Sequence, residues 1–154
     1  MSVVATLRPN DWDLPLLVHV FGAMILVGGL VTAVTALVLG WRRDAPFYSR
    51  IGFWSLLAVA FPGWWMMRIG GPWIESKGDY AEGNEPAWLG IGYLTAELGG
   101  LLLLISIILT GIGMRRLRRR DAGTSVLVRI GTVLATAILL AYLVAMWAMT
   151  AKPD

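Results

Sequence analysis

Four apolar runs, each long enough for the roughly 17–25 residues that carry a helix across a bilayer, dominate this sequence and leave little chain for anything else. They extend from Leu14 to Leu39, Ile51 to Ile69, Trp88 to Gly113 and Val126 to Thr150. Inside lipid every backbone N–H and C=O must be satisfied within the segment, so runs of this kind are expected as helices. The predicted fold is therefore an all-α membrane protein: a four-transmembrane-helix bundle forming a single domain over residues 1–154. A hydrophobic content of 57% and eight tryptophans in 154 residues, with a mean hydropathy of +0.69, fit no ordinary soluble domain.

In the first run the only strongly polar side chains are His19, Thr32 and Thr35. Pro15 falls where a helix starts and its missing N–H costs nothing, with Asp13 placed as an N-cap before it. Residues 1–13 hold Asp11, Asp13 and one arginine, without the basic n-region and short h-region of a cleaved leader, so the first run is expected to be retained. Pro62 and Gly63, late in the second run, predict a kink or an irregular turn, because proline cannot donate to the helical ladder.

The loops give the bundle a direction. Arg42, Arg43 and Arg50 join the first two runs, and Arg115, Arg116, Arg118, Arg119 and Arg120 join the last two; short arginine-rich loops stay cytoplasmic. The acidic loop 70–87 carries Glu75, Asp79, Glu82 and Glu85 against a single Lys77, as expected of the translocated side. Both termini are then non-cytoplasmic, N-out and C-out, in a multi-pass protein of the cell or inner membrane. Trp41 and Trp54 fall at the inner interface and Trp12, Trp73, Trp88 and Trp147 at the outer one, as interfacial aromatic belts require. The net charge of +3 is thus topological, and no nucleic acid is implied. The arginines of Arg115–Arg120 also suit anionic lipid head groups.

The absence of cysteine excludes disulfides, thiolate metal sites, iron–sulfur clusters and cysteine nucleophiles. No phosphate-cradling glycine loop, zinc motif or nucleophile elbow is present, and the pairs Gly28-Gly29 and Gly99-Gly100 lie inside apolar runs, where they read as close-packing sites.

Three ionisable residues remain within or beside the spans. His19, the only histidine, lies about 7–8 Å below the outer edge at 1.5 Å per residue. Gly22 and Ala23 share its helical face, so a neighbouring backbone or a flat cofactor can approach closely. It reads either as a haem or copper ligand or as a neutral imidazole hydrogen-bonded to another helix. Glu97 is about 13 Å deep and needs a partner; Arg68, at the outer end of the second run, is long enough to reach it or to snorkel to water. His19, Arg68 and Glu97 are together expected to form one polar cluster, functional or register-fixing. Met66, Met67, Met146 and Met149 lie at similar depth, and thioethers with imidazole suit Cu(I) or an axial haem pair, so Met67 and Met146 join His19 as candidate metal ligands, against the alternative that methionine is simple apolar filler. Ala137, Ala141 and Ala145 form a small-residue ridge for the bundle interior or for a homo-oligomer.

The segment Leu17-Val18-His19-Val20-Phe21-Gly22-Ala23, with Val27-Gly28-Gly29-Leu30, resembles the first helix of uncharacterised integral membrane proteins related to the copper-resistance protein CopD. It also looks like the small four-helix protoporphyrinogen oxidases, and Pro62-Gly63-Trp64 and Ala87-Trp88-Leu89 extend the likeness over about two thirds of the chain. The resemblance implies haem b on the helix-one histidine, matched by His19; where the oxidases use a helix-three lysine, this chain offers Glu97. The copper-related relatives imply copper handling at the outer face. Three functions are thus expected in order: a membrane protein binding haem or copper through His19, with Arg68 and Glu97 tuning the site; a non-catalytic subunit or scaffold within a homo-oligomer or larger membrane complex; and a proton-coupled transporter.

Overall fold

The computed structural model describes residues 13–76, 87–117 and 125–151. Lys77, Asp79, Glu82 and Glu85 of the acidic loop, together with Trp12 and Arg118 to Arg120, lie outside the described residues, as does the side chain of Trp88. Among the described residues there are no strands. The helices are α1 (Asp13–Arg43), α2 (Pro46–Ser55), a π-helical turn (Leu56–Ala60), α3 (Phe61–Glu75), α4 (Ala87–Leu117) and α5 (Val126–Ala151).

The helix ends follow local chemistry. Asp13 sits in the first turn of α1 and Arg42 and Arg43 in its last, matching the helix dipole at both ends. Asp44 takes a left-handed backbone (φ 50°), and the Ala45 N–H bonds back to the Gly40 carbonyl at 3.1 Å, a Schellman closure. Pro46 then opens α2, where its absent N–H is harmless. Ser125 caps α5, its hydroxyl accepting from the Leu127 N–H.

The second apolar run is longer than expected, helical from Pro46 to Glu75, and divided. Its junctions keep right-handed helical angles, −65°/−40° at Ser55 and −65°/−47° at Phe61, so the chain passes through without a break. The irregularity precedes Pro62 rather than following it. The Phe61 N–H bonds to the Leu56 carbonyl, five residues back, and this widened turn gives the Pro62 ring room against the Ala58 carbonyl. Three helices are individually long and apolar enough to cross a membrane, within Asp13–Arg43, Gly90–Arg116 and Val126–Ala151; the divided run has no single helix of that length.

The helices pack as an up-and-down square. The seam between α1 and the divided run is lined by small residues: Gly22, Gly29, Ala33 and Gly40 face Ser49, Gly52, Ala60, Gly63 and Gly70. A Cβ on Gly63 would lie 2.5 Å from the Leu26 nitrogen, and one on Gly29 would lie 2.7 Å from the Ala60 nitrogen. Such backbone proximity replaces the hydrophobic effect as the source of cohesion between helices in lipid. The Ser55 hydroxyl donates to the Gly29 carbonyl at 2.8 Å. Between α4 and α5 the Ser106 hydroxyl donates to the Gly131 carbonyl at 2.9 Å. Helix α5 also packs on α1, and α4 packs along the divided run, on α2, the π-helical turn and α3.

Leu26, Leu30, Leu37, Leu56, Leu103 and Ile138 fill the centre. Leucine, valine and isoleucine are equally prominent outside, with Leu17, Leu94, Leu101, Ile108, Val133 and Leu140 all exposed. A surface this apolar on every side suits lipid rather than water. Of the alanine ridge, Ala145 is buried while Ala137 and Ala141 face outward. The start of α1 and the end of α5 share one end of the bundle, and Arg42, Arg43, Arg50, Arg115, Arg116 and Arg129 gather at the other.

Candidate functional site

At the end where α1 starts and α5 finishes, His19 enters the α1–α3 seam. Its Nδ1 lies 2.9 Å from the Met67 carbonyl oxygen. A carbonyl only accepts, so Nδ1 carries a proton and donates it, and in the neutral ring Nε2 retains its lone pair. The His19 backbone abuts Gly70, and its ring lies beside Gly71. A Cβ on Gly70 would come within 2.6 Å of the His19 nitrogen, and one on Gly71 within 3.6 Å of Nδ1. Pro72, inside α3, cannot donate to the Arg68 carbonyl and loosens the ladder beside the docked imidazole.

Arg68 and Glu97 meet across the α3–α4 side. Arg68 Nε donates to Glu97 Oε1 at 2.8 Å, and Nη2 donates to the same oxygen. The Arg68 guanidinium also lies 5.9 Å from the centre of the Tyr93 ring, whose hydroxyl donates to Glu75. Glu97 is more than half exposed and Arg68 about one third. The pair therefore lies on the outer surface of the bundle. Mutual neutralisation is what permits a carboxylate there.

The three ionisable residues thus separate into two groups. His19 uses the α1 side of α3 and Glu97 the α4 side, with α3 between them. The methionines do not gather around the imidazole either. The Met67 side chain is 8% exposed within the core although its carbonyl holds His19. Met146 is 46% exposed on α5, and Met149 packs onto Gly92 of α4. Among the described residues no group of three or more His, Cys, Asp or Glu forms a metal cage.

One polar contact had no forewarning in the sequence. The Trp64 indole N–H donates to the Ala96 carbonyl at 2.9 Å, bridging α3 to α4 beside Gly100. Nearby, the Tyr142 hydroxyl is buried against Gly99 and has no hydrogen-bond partner among the described residues. The only signal was the Gly99-Gly100 pair itself, since two adjacent glycines on a packed helix make room for large rings on two neighbours.

Comparison with known protein families, with curated proteins and with solved structures finds no match to this chain.

Proposed function

We propose that this chain crosses the bilayer four times, N-out and C-out, and binds haem b in its outer half through His19 Nε2. The observation that carries the reading is the Nδ1–H bond to the Met67 carbonyl. Metal-ligating imidazoles commonly donate their second nitrogen to a backbone carbonyl, which fixes the tautomer, orients the ring and raises ligand basicity. Gly71 fits the same role, since it puts no side chain against the ring. When bound, haem supplies one-electron exchange at its iron. The chain's own contribution is to keep the proton on Nδ1, hold the ring against α3 and keep the Arg68–Glu97 pair nearby as a neutral unit. Copper is the weaker ligand, because Met67 is committed to the core and Met146 to the surface of α5. The likeness of the Leu17–Ala23 segment to haem-binding four-helix proteins supports the same choice.

A second reading, a non-catalytic membrane subunit, draws on a separate observation. Arg68 with Glu97, and Tyr93 with Glu75, are bonded to each other, as groups that only fix helix register would be.

Optical spectra and metal analysis of protein purified in mild detergent, for wild type, His19→Ala and His19→Asn, separate the two. Asparagine keeps an amide donor for the Met67 carbonyl but lacks Nε2. Haem ligation predicts a Soret band in wild type that is lost in both variants, while His19→Ala alone gives up about 0.5–1.5 kcal/mol of stability. A colourless, metal-free wild type, or a Soret band that survives in His19→Asn, would rule out His19 as the ligand.

A further inference from the structure

A second feature lies at the opposite, arginine-rich end. There the surface opens into a groove of about 1010 Å³ between α2 and the last turns of α4, at the upper end of the roughly 300–1,000 Å³ of ligand pockets. Its floor is Phe53, which leans onto α4 because Gly111 has no side chain; a Cβ there would lie 3.1 Å from the Phe53 ring. Trp54 and Ile108 form exposed apolar walls. Arg50 and Arg115 stand at the mouth, and neither has a carboxylate partner among the described residues. Seven residues further along each helix, about 10 Å deeper, the lining is Leu57 and Ile108. Charge at one end and hydrocarbon below is the polarity order of a membrane lipid.

We propose that this groove binds one anionic glycerophospholipid, its phosphate between Arg50 and Arg115 and an acyl chain along Phe53, Trp54 and Ile108. Two cations with no carboxylate partner among the described residues set a preference for a net negative head group, because a zwitterionic lipid carries its own compensating ammonium. The apolar depth sets a requirement for a chain, which a free phosphate lacks. The site depends on the protein lying in a bilayer and is independent of the haem reading, since it occupies the other end of the bundle.

Native mass spectrometry of the full chain in detergent tests this, with added phosphatidylglycerol or phosphatidylcholine of matched chains. Wild type is expected to retain one phosphatidylglycerol at least fivefold more than phosphatidylcholine. The Arg50→Gln/Arg115→Gln variant loses that preference; Arg42→Gln/Arg43→Gln, which removes equal charge outside the groove, keeps it, and so does His19→Ala. Excess glycerol phosphate fails to compete. Equal retention of the two lipids, loss of preference in the Arg42/Arg43 control, or competition by glycerol phosphate would each overturn the groove as a lipid site.

Discussion

Two adjacent glycines show how sharply a single position is decided by what it faces. A Cβ on Gly28 would meet nothing within 4 Å, whereas one on Gly29 would lie 2.7 Å from the Ala60 backbone nitrogen. Gly28→Ala should therefore be neutral or stabilising by up to about 1 kcal/mol, the helix-propensity gain. Gly29→Ala should cost about 1–3 kcal/mol, because a backbone cannot swing aside as a side chain can. Thermal unfolding in one detergent checks both, and equal behaviour would refute the close α1–π contact. As a pair the two were legible in the sequence as packing residues; which of them packs was not, since that depends on the rotation of α1. The partner of His19 was hidden for a related reason. It is a main-chain carbonyl 48 positions away, and every residue type has a carbonyl.

At the scale of elements, legibility followed whether an interaction is written in residue type. Arg68 and Glu97 were readable as partners, being opposite charges at reachable depths in neighbouring spans. Their outward orientation was not readable, because an apolar-all-round helix has no marked polar face to set its rotation. Pro62 announced a distortion, but a proline disturbs the carbonyls that precede it, so the π turn formed at Leu56–Ala60. The ion pair yields a prediction about the α3–α4 side. In lipid nanodiscs, Arg68→Gln and Glu97→Gln should each destabilise, and the double variant should be more stable than either, because each single change strands a charge among apolar surroundings. A double variant no better than the worse single one would mean that water or lipid head groups already compensate both charges.

For the whole molecule, all-helical character followed from length and hydropathy alone, properties that need no third dimension. The count of crossings is less direct, because the second run is broken into helices of 10, 5 and 15 residues, and only its unbroken backbone angles argue for one traverse. Loop charge predicts the orientation, and the absence of cysteine makes the prediction easy to check. Single-cysteine variants Asp79→Cys and Arg118→Cys, treated with a membrane-impermeant maleimide in intact cells, should label from outside and only after lysis, respectively. Labelling of both from the same side would require an even number of crossings between them.

The pairing of the helices into two hairpins has a mechanical consequence. Hydroxyl-to-carbonyl bonds sew each hairpin internally, Ser55 to Gly29 and Ser106 to Gly131, and the α1–α5 contact joins the hairpins along one edge. The opposite edge, between α4 and the divided run, is packed to a similar extent and is bridged as well by the side chains of Trp64, Arg68 and Tyr93. Thermal motion is therefore expected to move the two hairpins against each other as stiff leaves, each keeping its own internal bonds.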